Sequence, residues 1–206
     1  MIIIIGMHRY ILPESLNYFY LCALIQSMVP IEIIKKYYRE GTELYTILLE
    51  HSFSVANKSL SIARMHPEMN LDRTFIYEAA LLHDIGIFKT DASDIYCYGP
   101  FPYICHGYLG GDLLKAEGLP RHASVCERHT GTGLSLEYII KNNLPIPRRD
   151  MLPESPEEQL ICFADKFFSK TNLEKEKSID KVRKNLAKHG EEAVKKFDSW
   201  CKLFLG

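Results

Sequence analysis

Apolar residues recur three and four positions apart along most of this chain, and glycine, proline and capping residues mark the breaks between the runs. The pattern predicts a short helix over residues 31–40, closed by Gly41, and a longer one over 42–64. In the longer helix His51 falls one turn after Ile47 and one turn before Val55, so its imidazole faces the buried side. Pro67 and Asn70 make a turn. Asp72 then caps a third helix, whose apolar run Ala79-Ala80-Leu81-Leu82 ends in His83-Asp84-Ile85-Gly86.

Over residues 87–104 the helical period fails. Asp91, Asp94, Gly99, Pro100 and Pro102 punctuate the segment, with Phe88, Tyr96, Tyr98, Phe101 and Tyr103 between them. So long a loop between two histidine-bearing segments reads equally as a pocket wall or lid and as aromatics packed on the surface. Helices are predicted again over 106–117, ended by Gly118, then from Pro120 to His129, and over 135–142. Ser155-Pro156-Glu157-Glu158 is a capping box opening a helix that carries Leu160, Ile161, Asp165, Phe167 and Phe168. Two amphipathic helices follow, over 179–188 and 191–204. No alternating segment exceeds a few residues, so the expected fold class is an all-α helical bundle.

Two apolar blocks, residues 1–5 and 18–29, open the chain, but His8, Arg9, Pro13 and Glu14 separate them. Neither reaches the roughly 18 to 20 residues a membrane span needs, and the charge order of a signal peptide is missing. Residues 1–27 are therefore set apart as a leader, with a misread upstream start given even weight, and 28–206 as a single domain. The formal net charge of −1 gives no general attraction to nucleic acid or to an anionic membrane, so neither is an expected partner. Six cysteines without a C-x-x-C pair argue against a disulfide framework and for a reducing, cytoplasmic setting. The lysine-rich stretch 166–196 interleaves acidic residues and reads as a solvated face.

Against that background His51, His83, Asp84, His106, His129 and Asp165 stand out, spread over five predicted helices among apolar neighbours. One buried histidine is ordinarily a hydrogen-bonded core residue, but a buried aspartate needs a partner. Helical spacing turns Lys166 and Lys170 away from Asp165, which leaves a metal as its expected partner. Imidazole and carboxylate suit mid-series divalent metals without distinguishing iron, manganese, cobalt and nickel, and this set suffices for two ions. One ion activates water near neutral pH; two ions about 3.5 to 4 Å apart also clamp the attacking and leaving oxygens of a displacement at phosphorus. Cys105 and Cys126 lack the paired spacing of a zinc–thiolate site.

The order of these residues, a helical His, then His83-Asp84-Ile85-Gly86, His106-Gly107, Glu127-Arg128-His129 and Ala164-Asp165, resembles the HD-domain metal-dependent phosphohydrolases of the His-Asp-Ile-Gly subgroup. The segment 106–120, with Gly110-Gly111-Asp112 and Glu117-Gly118-Leu119-Pro120, is similar as well. The resemblance implies a helical bundle in which His51, His83, Asp84 and Asp165 hold one ion. Asp84 would bridge to a second, held also by His106 and His129. It implies hydrolysis of a phosphate ester or anhydride on a nucleotide or other small phosphorylated metabolite, a dinucleoside polyphosphate being one candidate. The family often has Lys or Arg after the glycine, where this chain has Ile87, so phosphate contact falls to Lys89 or Arg128, with Lys58 and Arg121 as unranked substitutes. The alternative is a nucleotide-binding regulatory module with this fold and little turnover.

Overall fold

A computed structural model describes residues 30–173 and 175–206, and the backbone of 2–5 and 8–11. The second apolar block lies outside the described residues. The backbone of β1 (Ile2–Ile5) pairs antiparallel with β2 (His8–Ile11).

Helix α1 covers residues 30–37, and Gly41 takes the positive φ of 78° that separates it from the next helix. Thr42 caps α2 (Glu43–Met65) through its hydroxyl, and Asp72 caps α3 (Arg73–Leu82) by accepting from the Phe75 N–H at 3.0 Å. Helices α4 (His106–Ala116), α5 (Pro120–Arg128), α6 (Leu136–Lys141) and α7 (Pro156–Asp165) follow, then α8 (Ile179–Leu186) and α9 (Glu191–Phe204). The fold is helical, as the periodicity predicts.

Two cores meet at the His-Asp-Ile-Gly stretch. On one side α2, α3, α5 and α7 bury Val55, Ile76, Ala79, Val125, Ile161 and Phe163, closed by Phe197, Trp200 and Phe204 of α9. Burying each of those aromatic rings contributes roughly 1.5–3 kcal/mol. On the other side Ile34 and Tyr38 pack with Leu48, Leu82, Ile85, Ile87, Leu114 and Cys126. The Tyr38 hydroxyl donates to the Ile85 carbonyl at 2.7 Å and accepts from the Phe88 N–H at 3.3 Å. The two bonds fix the turn after His83-Asp84 from outside.

Residues 87–104 fold as a small three-stranded sheet between 3₁₀ turns, a difference from the unstructured loop expected. β3 (Thr90–Ala92) is antiparallel to β4 (Cys97–Tyr98) and parallel to β5 (Phe101–Pro102). Strands of two or three residues are too short to show an alternating pattern. Helix α7 also departs from expectation. It stops at Asp165 rather than running on through Phe168, and residues after it turn back on themselves. At its start the Ser155 hydroxyl accepts from the Glu158 N–H at 3.1 Å, but the Glu158 carboxylate accepts from the Glu154 N–H at 3.0 Å instead of closing the box on Ser155.

Candidate metal centre

The structure brings all six predicted ligands together. His51 comes from the middle of α2, His83 and Asp84 from the end of α3, His106 from the start of α4, His129 from the end of α5 and Asp165 from the end of α7. His83 and Asp84 are fully buried, and His51, His106 and His129 nearly so. Their ligand atoms form two sets, His51–His83–Asp84–Asp165 and Asp84–His106–His129, each with atoms within 4.8 Å of one another.

Asp84 belongs to both sets, one oxygen to each. Its Oδ2 lies 3.1 Å from His51 Nε2 and 2.9 Å from His83 Nε2, and its Oδ1 lies 3.5 Å from His106 Nε2 and 3.4 Å from His129 Nε2. Asp165 Oδ1 completes the first set at 3.0 Å from His51 Nε2. Asp84 Oδ1, both His51 nitrogens and His83 Nε2 are buried without a hydrogen-bond partner. Buried polar atoms left unsatisfied are rare and costly. Nitrogens and carboxylate oxygens that converge without bonding one another fit divalent metal, and the residues present suit it in number and type.

The imidazoles are aimed by the backbone. The Nδ1 atoms of His83, His106 and His129 lie 2.6, 2.7 and 2.7 Å from the carbonyls of Ala80, Tyr103 and Cys126, each three residues earlier. A carbonyl only accepts, so each Nδ1 carries the proton and each Nε2 faces inward. Tyr103 stacks on the His106 ring at 4.6 Å between centroids.

Glycines let the second set approach. A Cβ on Gly86 would lie 2.2 Å from the His106 carbonyl oxygen, and one on Gly110 would lie 2.5 Å from Cys126 Sγ. The glycine of the His-Asp-Ile-Gly stretch therefore serves backbone contact between the α3 end and α4.

Charge is distributed unevenly. Burial pushes His106 down to about 3 and also lowers His129, against the pull of Asp84. Burial lowers His83 too, but Asp84 and Asp165 outweigh it and raise this group to about 9. Burial would raise both carboxylates, yet His83 and Lys170 hold Asp84, and Lys166 and His51 hold Asp165, well below the usual range.

Those lysines are a correction to the sequence reading. Lys170 Nζ lies 2.5 Å from Asp84 Oδ2, and Lys166 Nζ lies 2.8 Å from Asp165 Oδ2 and donates to the His129 carbonyl at 3.0 Å. Helical spacing turned them away, but α7 ends at Asp165, so that spacing does not apply beyond it. The polar run Ser169-Lys170-Thr171-Asn172 is the sequence signal that the helix has stopped. The stretch 166–196 is accordingly only in part a solvated face.

The other basic candidates lie elsewhere. Arg128 pairs with Glu154 at 2.9 Å and Glu158 at 3.0 Å, and Lys89 sits 5.9 Å from the centre of the Phe88 ring, with no ion pair to the cluster. Lys58 pairs with Glu176 at 2.6 Å, and Arg121 with Asp72 at 2.8 Å. Neither metal set includes a cysteine among the described residues. A cavity of about 400 Å³ opens on His51 and Asp165, and Ala92, Ile95 and Tyr103 of the 87–104 segment line it. That segment is a pocket wall.

The HD domain family matches residues 48–170, a span that includes every residue of the cluster. A Thermoplasma volcanium protein named tRNA (cytidine(56)-2'-O)-methyltransferase is 29% identical over 82% of this chain and 45% of its own length. One of the same name from Picrophilus torridus is 32% identical over 60% of this chain and 32% of its own length. An uncharacterized protein of Methanocaldococcus jannaschii is 29% identical over 69% of this chain and 79% of its own length. The chain thus spans less than half the length of the two named methyltransferases. No solved structure matches it. The family match and the clustered histidines and aspartates agree, and the chain belongs to the HD domain family.

Proposed function

We propose that the chain is a metal-dependent phosphohydrolase cleaving an ester or anhydride of a nucleotide or other small phosphorylated metabolite. The observation that carries the reading is Asp84, whose two buried oxygens face separate imidazole sets, with the Lys170 ammonium set against Oδ2. His51, His83, Asp84 and Asp165 would hold one divalent ion (iron, manganese, cobalt or nickel), and Asp84, His106 and His129 a second. Ions bound there would activate water and stabilise the leaving oxygen of a displacement at phosphorus.

The protein's own contribution is positional and electrostatic. The three carbonyl-bound Nδ1–H groups hold each Nε2 toward the centre before anything binds. Lys166 holds Asp165 and the end of α5 together through one ammonium. Burial of the cluster excludes bulk water and strengthens every charge interaction within it. The cavity gives a small molecule access to the first set. Phosphate contact by Arg128 would require it to leave its two glutamates.

A second reading concerns the carrier of the phosphate. Two relatives are named for action on tRNA, which favours a phosphate presented on RNA. Methyl transfer is not proposed for this chain, whose cluster suits divalent metal. One experiment separates these readings: metal content and a panel of p-nitrophenyl phosphates, nucleotides, dinucleoside polyphosphates and short oligoribonucleotides, for wild type and Asp84→Ala. Metal-dependent turnover of small substrates, lost in the variant, is expected. Turnover confined to oligoribonucleotides would select the RNA reading. Bound metal and nucleotide with no turnover anywhere would select a regulatory module.

A further inference from the structure

Lys170 is the cation of this centre that no role above explains. Its side chain is 12% exposed, and its Nζ lies 2.5 Å from Asp84 Oδ2, on the oxygen that faces the first ligand set. Lys166, by contrast, is spent on Asp165 and the His129 carbonyl. Among the described contacts Lys170 has no backbone acceptor; its other neighbour is the Tyr103 ring, 5.9 Å away.

The turn that presents Lys170 is built to hold it there. The Lys177 N–H donates to the Phe167 carbonyl at 2.8 Å, and its ammonium donates to the carbonyls of Lys166 and Phe168. The cavity beside the cluster is lined by Lys170, Lys177, Ser169 and Thr171, by Asp94, and by apolar Ile95 and Leu186. Its polar part suits a phosphoryl group and its apolar part an organic remainder. Ile87, directly after the glycine, is fully buried and offers the cavity no charge.

Resting on the phosphohydrolase reading, we infer that Lys170 is the group that receives the substrate phosphate in this cavity. Before a divalent ion binds, the same ammonium stands in for it against Asp84. A metal ion competing for Asp84 Oδ2 releases the lysine toward the cavity, where a phosphate oxygen replaces the carboxylate as its partner. Lys170 thus opposes metal binding and favours phosphate binding, a pair of effects that a merely structural lysine would not produce.

The test uses Mn²⁺ and inorganic phosphate as probes with wild type, Lys170→Gln and Lys170→Arg. Metal-stripped Lys170→Gln is expected to bind Mn²⁺ more tightly in calorimetry, while the Mn²⁺-loaded variant binds phosphate about tenfold more weakly or worse. Lys170→Arg is expected to restore most of the phosphate affinity. On any substrate turned over, Lys170→Gln raises KM more than it lowers kcat. A measurement on wild type covers the case in which the variant does not fold: acetylation of Lys170 followed by mass spectrometry. Reactivity should rise on adding Mn²⁺ and fall again on adding phosphate. Unchanged phosphate affinity in Lys170→Gln, weaker Mn²⁺ binding in that variant, or acetylation indifferent to phosphate overturns the inference. Phosphate that protects Lys170 in a protein hydrolysing no phosphate compound would reject the hydrolase reading and leave this one standing.

Discussion

The two ligand sets share Asp84 but are built differently. The Asp84–His106–His129 set comes from the consecutive helices α4 and α5, its imidazoles tied to their own backbone and held neutral by burial. The His51–His83–Asp84–Asp165 set is assembled from α2, α3 and α7, carries two lysines on its carboxylates and raises His83. His51 has no tether on its Nδ1. On the proposed reading the first arrangement is pre-set for an ion, and the second carries lysines against its carboxylates that an incoming ion would have to displace. Local construction gives pre-organisation, and long-range construction gives a site whose charge is balanced by the protein itself.

The largest expected effect tests what the sets share. Asp84→Asn should abolish binding of both ions by metal analysis and lower turnover by about 10³-fold. Retention of either ion at wild-type affinity would show that the sets are independent of this residue. Next is Gly86→Ala, whose Cβ would meet the His106 carbonyl at 2.2 Å. It should lower stability by about 1–3 kcal/mol in thermal melts and weaken the His106 set more than the His51 set. His129→Ala should then reduce the metal count from two to one, leaving the His51 set loaded. Loss of both ions would merge the two sets into one unit.

A pH series gives a smaller and more discriminating effect. In the metal-free protein His83, raised to about 9, keeps a proton that the unfolded chain releases near 6.5. Its contribution to stability is therefore full below pH 6.5 and lost as pH rises through about 9. Metal must displace that proton, so affinity at the His51 set should climb over the same window, with proton release seen by calorimetry in buffers of different ionisation enthalpy. Binding at the His106 set, whose His106 is held at about 3, should stay flat there. The smallest effect expected is from Arg128→Ala: its partly exposed pairs with Glu154 and Glu158 are worth about 0.2–1 kcal/mol, and a kcat within about twofold of wild type would set this residue apart from the chemistry.

The cluster itself was legible because each ligand sits against a strong helix signal: His51 between Ile47 and Val55, His83 at the end of a four-residue apolar run, His129 before Thr130-Gly131. Caps at Thr42, Asp72, Ser135 and Ser155 fix the helix starts locally, and the structure uses each hydroxyl or carboxylate as a cap. What escaped depends on contacts distant in sequence. The α7 stop is stabilised by Lys177, beyond the reach of any helical period, so the spacing around Lys166 and Lys170 pointed the wrong way. The strands in 90–102 hold together through a parallel pairing that no short pattern announces. His122 is half-buried against Glu78 and the Phe75 ring, a pairing between α3 and α5.

Because Ala80, Tyr103 and Cys126 orient their imidazoles through main-chain oxygens, exchanging the side chains at those three positions leaves the orienting bonds in place. The weakness of such a design is spacing. One residue inserted between Ala80 and His83 would rotate the ring by about 100° around the helix axis and strip it of its carbonyl. Ring orientation should thus survive volume-conserving substitution at these three positions but not insertion or deletion within the intervals, a contrast that a deep mutational library containing both kinds of change would display directly.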